Sequence, residues 1–319
     1  MANILLRSPK YLTITTGSHL SAKLELTIDG TLRYTIIKNA VSNRTVFELS
    51  TLCKDYYDPD YGGTSGSNFD TVAISATWYA YDAVDGGGSQ LATSTVTHTG
   101  FYGYTYFSQG VGGNDIDPDD YELTNTGDSR IVYLPENTAS FVWDMNSGST
   151  SKTTINTTAT SVTSASGQYT WTIQRICSAK YSPVQMRFIN KNGAPQDLYF
   201  FLKSSESMNT KSETFKRNIF KYATSNYEEE DHQTTVFNKT GKKRYTLNTD
   251  YIAEAYNEVI EDVLLSEYVW IKYESTDGNR WRPVIVNTSS LLKKTSLNDK
   301  LIQYTLEVEE ANDIINNIV

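Results

Sequence analysis

The chain is poor in the residues that carry most enzyme chemistry. It has 3 histidines and 2 cysteines in 319 residues. His19, His98 and His232 stand far apart, and none has a second His, a Cys or an Asp at ligand spacing. A catalytic base needs a nucleophile and an orienting group close by, and the sequence nominates neither. Cys53 and Cys177 lie beside Leu52 and Ile176 in apolar contexts. Without a visible secretory signal they read as buried free thiols, not as a disulfide or a metal pair. No run of about 18 apolar residues occurs, so no membrane span is predicted. Basic residues are outnumbered, 28 Lys and Arg against 37 Asp and Glu, for a net charge of -9, which argues against a nucleic-acid partner held through its phosphates. These absences predict a non-enzyme made in the cytoplasm, with no cofactor, no metal and no membrane insertion.

What the chain does contain favours sheets. Tyr is about twice as common as Phe, 23 against 11, and Thr and Ser are abundant, a composition that suits pleated surfaces. A mean hydropathy of -0.44 describes a polar exterior. Short alternating segments at 11–15, 23–28, 32–37 and 45–49 are separated by turn signals, the clearest being Asp29-Gly30, a two-residue hairpin signature. Residues 47–57 read as a short helix with Leu49, Leu52 and Cys53 inward and Ser50 or Thr51 at its start. Residues 71–82 should pair with 90–97 across Gly86-Gly87-Gly88, and 131–134, 141–143 and 169–173 continue the strand pattern. Residues 146–168, almost all Ser, Thr, Asn and Gly, read as a mobile loop or a polar hairpin without a core of its own. Strands at 185–189 and 198–202 flank the turn Asn190-Lys191-Asn192-Gly193, and 204–216 reads as a polar connection leading to an acidic knot at Glu228, Glu229, Glu230 and Asp231.

One long helical pattern interrupts this, over 248–271, with the helix itself set at 250–268. Ile252, Tyr256, Val259 and Val263 recur at helical spacing, with Ile260 and Leu264 widening the stripe. Thr249 or Asp250 is the expected cap. Strands at 242–247, 268–273, 282–286 and 301–308 surround it, so one helix on a small sheet is the economical reading. The opposite helix face carries Glu254, Glu258, Glu261 and Asp262, with no Lys or Arg inside the helix to offset them. The charge-patterning rule favours a solvated face. The sharper reading pairs these acids with the short basic run Lys239, Lys242, Lys243 and Arg244 of a neighbouring subunit. That run otherwise reads as an exposed hairpin tip with Gly241 at the turn.

The predicted fold is mainly β, with two or three β-sandwich or barrel-like modules: 1–60, 61–176 and a C-terminal β domain, 177–319, with its helix packed on the sheet. Asp115-Ile-Asp117-Pro-Asp119-Asp120 has the alternating acids of a calcium loop, but position six is Asp120 where Gly belongs and position twelve is Thr126 where Glu belongs. Gly110-Val-Gly-Gly precedes no helical pattern and forms no phosphate cradle. The Tyr and Gly mixture at 99–110, with Tyr102, Tyr104 and Tyr106, suits either sheet packing or an adaptable binding loop.

Several stretches resemble virion structural proteins of tailed bacteriophages that infect Bacteroidetes hosts. They are Phe188-Ile-Asn-Lys-Asn-Gly, Asp197-Leu-Tyr-Phe-Phe, Tyr245-Thr-Leu-Asn-Thr, Glu258-Val-Ile, Leu265-Ser-Glu-Tyr-Val-Trp and Pro283-Val-Ile-Val, followed by Ser290 and the run from Asn298 to Glu309. Near the start, Ile28-Asp-Gly-Thr-Leu and Val46-Phe-Glu-Leu-Ser carry the same likeness. The resemblance implies a tail-tip or baseplate component located in the virion tail and assembled as a symmetric ring with copies of itself and other phage tail proteins. It transfers no catalytic residue. The alternatives are a host-receptor or glycan-binding tail protein, a neck or head position, and an enzyme that cleaves envelope polysaccharide with a carboxylate pair.

Overall fold

The structure is a computed structural model that describes residues 2–59, 69–116, 120–176, 180–273, 280–295 and 302–315. It is mainly β, in several sheets. The first 116 residues supply β1 (Ala2–Leu5), β2 (Tyr11–Ile14), β3 (Ser21–Ile28), β4 (Thr31–Asn39), β5 (Thr45–Glu48), α1 (Ser50–Lys54), β6 (Val72–Tyr81), β7 (Gln90–Phe101) and β8 (Asp115–Ile116). Six of these form one sheet in the order β4-β3-β6-β7-β1-β8, and β2 pairs with β5. The β3–β4 hairpin turns at Asp29 and Gly30, with φ of 48° and 76°, the positive pair that a type I′ turn requires. Along β3 every second residue is buried, which places Leu24, Leu26 and Ile28 in a core with Ile4, Phe47, Leu49 and Cys53. The short helix forms as expected, but its cap is Glu48. That carboxylate accepts from the N–H groups of Ser50 and Thr51, both at 2.9 Å, near the positive helix end. Because β3 pairs along its whole length with β6, the boundary expected near residue 60 falls between strands of a single sheet.

The middle region contributes β9 (Asp120–Glu122), β10 (Ile131–Pro135), β11 (Ser140–Asn146), β12 (Ser149–Ile155), β13 (Ser161–Thr163) and β14 (Thr170–Ile176). They form two three-stranded sheets, β12-β11-β9 and β10-β14-β13. The polar run 146–168 resolves into a hairpin: β12 pairs residue by residue with β11 around Ser147 and Gly148, at φ 49° and 84°. Ile155 is fully buried and Val162 packs against the same core. The boundary expected near 176 separates no core either, since Val132, Leu134, Trp171 and Ile173 share one cluster with residues 184–308. Cys177 lies outside the described residues.

The C-terminal region supplies β15 (Val184–Ile189), β16 (Pro195–Phe200), β17 (Ser205–Lys216), β18 (Thr234–Asn248), α2 (Asn257–Leu265), β19 (Val269–Tyr273), β20 (Arg280–Val286) and β21 (Thr305–Glu310), in a seven-stranded sheet ordered β16-β15-β19-β20-β21-β18-β17. The apolar stripe of α2 is as read: Tyr256, Val259, Ile260 and Val263 are buried against this sheet. Its length is not, since the helix spans Asn257–Leu265 after a single 3-10 turn, Glu254–Tyr256. Thr249 caps nothing. Its hydroxyl bonds the backbone of Tyr304, and Ile252 bridges to Ile302, so tertiary strand pairing overrides the helical period before residue 254. At the far end the β-branched run beginning at Val269 enters the sheet.

Two further expectations are corrected here. Residues 204–216 are no connection but the edge strand β17, paired over its whole length with β18. The basic run 239–244 is no hairpin tip but the middle of β18, with Gly241 opposite Thr210. The true turn lies in residues 217–233.

Candidate functional site

Residues 102–106 leave the end of β7 in an extended path. Gly103 allows this, because a Cβ there would lie 2.3 Å from the carbonyl oxygen of Lys191. The N–H of Tyr104 donates to that same carbonyl at 2.8 Å. In an extended chain alternate side chains share a face, so Tyr102, Tyr104 and Tyr106 all point toward α2. Tyr102 donates to Glu267 at 2.5 Å, Tyr104 to Asp262 at 3.2 Å and Tyr106 to Glu261 at 3.3 Å. On the other face Thr105 donates its N–H to Ser8 at 2.7 Å.

Cations frame this ladder. The Arg7 guanidinium stacks 4.9 Å from the Tyr104 ring, pairs with Glu267 at 3.0 Å and donates to the carbonyl of Leu265, the last residue of α2, where positive charge is favoured. Lys54 also pairs with Glu267, at 3.2 Å, and Lys293 with Glu261, at 2.5 Å. Burial pushes the Asp262 carboxyl up to about 6, against the lowering influence of Lys191 and the Tyr104 hydroxyl. Burial likewise raises all three tyrosine hydroxyls, reinforced by their acidic partners. Glu267 ends below its usual value, because Tyr102, Arg7 and Lys54 outweigh its burial.

The helix acids and the tyrosines, read from sequence as two separate contact surfaces, are thus brought together within one chain. Glu261, Asp262 and Tyr102, Tyr104 and Tyr106 form an internal zipper between the first sheet and α2. Glu254 and Glu258 remain exposed at its margin. The premise that the basic run lacks local partners is also overturned: Lys243 pairs with Glu206 at 2.6 Å, Arg244 with Glu309 at 3.2 Å and Lys242 with Asp313 at 3.9 Å. Lys239 sits further out on β18.

Beside the zipper lies a cavity of about 50 Å³ lined in part by Asn125, Asn190, Asn192 and Gln196, room for little more than one water. Its amides are committed to scaffolding. Asn190 donates to the carbonyl of Leu123 at 2.7 Å and to Gln196 at 2.9 Å, while its own oxygen accepts from the N–H of Asn192 and Ala194. Buried His19 lies between the carbonyl of Thr16 and the hydroxyl of Thr45, each at 3.0 Å, a satisfied core histidine. Among the described residues no group of three His, Cys, Asp or Glu could hold a metal. Of the calcium-like loop, Asp115 lies in β8, while Asp117 and Asp119 are outside the described residues. No helix among the described residues is long and apolar enough to cross a membrane.

No family model, curated protein or solved structure matches this chain.

The feature that sequence reasoning missed is the β17–β18 ribbon. All twelve residues of β17 are exposed. Only residues 244–248 of β18 pair onward to β21, and the carbonyl of Gly241 accepts from the N–H of Ile314, so among the described residues the part beyond Lys211 and Thr240, out to the turn, has only its own two strands for backbone partners. Met208, Phe215, Phe220, Tyr222, Tyr227, Val236 and Phe237 are exposed along it. With neither face buried there is no alternation to detect. The available signal was the pair of Thr- and Lys-containing, proline-free flanks around an Asn, Tyr and Glu turn.

Proposed function

We propose that this protein is a structural component of a tailed-phage virion, a tail-tip or baseplate ring protein located in the tail. It assembles with copies of itself and with other tail proteins. The observation that carries the assembly half is the ribbon. An isolated two-stranded hairpin is marginally stable in water, and exposed apolar residues gathered on one projecting element mark an interaction surface. The phage half rests on the sequence stretches quoted above. Recognition of a host glycan or receptor is the weaker reading, because the hydroxyls of the tyrosines that would make the contact are engaged by the helix acids.

Light scattering on the purified chain, with negative-stain images of the same peak, tests the reading. A closed ring is expected. A variant in which residues 209–240 are replaced by a two-residue turn should keep the fold and lose the ring. A protein that stays monomeric over the whole accessible concentration range would overturn the reading.

A further inference from the structure

The ribbon carries opposite charge at its two ends. At its base is a groove of about 450 Å³ lined by Asn209, Lys211, Lys242, Arg244, Glu309 and Asp313. Arg244 and Lys242 are partly neutralised by Glu309 and Asp313, whereas exposed Lys211 has no ion pair among the described residues, so three cations face two acids there. The turn at the other end holds Glu228, Glu229, Glu230 and Asp231. Lys221 reaches Glu228 at 2.5 Å and Asp231 at 3.3 Å, and Arg217 reaches Asp231 at 3.8 Å. Glu229 and Glu230 are exposed without an ion pair among the described residues. Around them stand Phe220, Tyr222 and Tyr227, with Tyr222 84% exposed, aromatic groups of the kind that anchor interfaces.

The tip cannot reach its own groove. Lys216 lies seven residues beyond Asn209 along β17, roughly 23 Å at about 3.3 Å per residue. The turn continues outward, since Arg217 donates its N–H to the carbonyl of Gln233 and Lys221 bridges to Asn226.

We propose that the acidic, aromatic tip of each ribbon docks in the basic groove at the ribbon base of a second copy of this chain. The contact is heterologous, head to tail, so it closes into a ring or propagates as a filament according to its rotation. Charge complementarity selects the partner and the aromatic rings fill the groove. The proposal rests on the structural reading above and names its contact.

Two full-length variants test it, Glu229→Lys with Glu230→Lys at the tip and Lys211→Glu with Lys242→Glu in the groove. Each alone should weaken association by roughly tenfold or more, the change that corresponds to about 1.4 kcal/mol, seen as a fall in mass by light scattering. Mixed in equal amounts they should reassemble, because each supplies the charge the other lacks, and this rescue separates lost contact from lost folding. Assembly unchanged in either variant overturns the docking while leaving the structural reading in place. Variants that fold normally but stay dissociated when mixed overturn it as well. A wild-type chain that never assembles overturns both.

Discussion

The two edges of the seven-stranded sheet meet water in opposite ways. At one edge β16 is buried at all six positions, and at the other β17 is exposed at all twelve. The first is covered by the middle region, whose Val132 and Leu134 share a core with Leu198 and Phe200, the usual protection of a sheet edge. The second has no strand or helix of the described residues over it. Burial lets β16 hold an ion pair out of water: Arg187 donates to both oxygens of Asp197, at 2.7 and 3.0 Å, under the rings of Phe141 and Trp281. Exposure leaves the ribbon's charges screened and its apolar residues available. The covered edge therefore governs stability, and the open one is the edge to which the proposed function assigns association.

The largest effect that would break this comparison is at the covered edge. Arg187→Met leaves Asp197 buried without its cation and should cost about 3–5 kcal/mol in urea unfolding. Changing both residues, Arg187→Met with Asp197→Leu, should recover most of that loss. A single variant as stable as wild type would mean that the edge opens to water.

Next is the join between the first sheet and α2. Gly103→Ala would drive a Cβ into the Lys191 carbonyl and should cost about 1–3 kcal/mol. Near-UV circular dichroism should report loosening of the tyrosines around it.

A smaller, pH-dependent effect belongs to Asp262. Its folded-state pKa, about 6, lies above its unfolded value. The folded chain therefore binds the extra proton between roughly pH 4 and 6, and the contribution of this group to stability is full at low pH and lost as pH rises through 6. Comparing Asp262→Asn with wild type at pH 4.5 and 7.5 should show the wild type losing about 1–3 kcal/mol that the variant does not lose. Equal pH profiles would refute the assignment.

The smallest effect on stability is expected on the ribbon. Phe237→Ser or Met208→Ser should move the unfolding midpoint by less than about 0.5 kcal/mol while lowering the assembled mass. A large loss of stability would show that the ribbon is part of the body.

Hydrophobic period and turn chemistry made much of the fold legible from the chain. Asp29-Gly30, the alternation of β3 and the buried stripe Val259, Ile260 and Val263 read directly, because each is a local pattern with one stable solution. The helix ends did not, since partners fifty or more residues away claim Thr249 and Ile252. The zipper was half legible: both Tyr102, Tyr104, Tyr106 and the helix acids stood out, but as separate surfaces, because spacing along a chain carries no information on which surfaces meet.

By itself, then, the sequence determined a β-rich chain with one amphipathic helix, since alternation and helical spacing act through neighbouring residues. Tertiary structure alone decided that strands on both sides of residue 60 share a sheet and that the tyrosines satisfy the helix acids. It alone also decided that residues 205–216 form an open edge. Long-range pairing and burial set these features, and a strand with water on both faces leaves no hydrophobic pattern by which to be read.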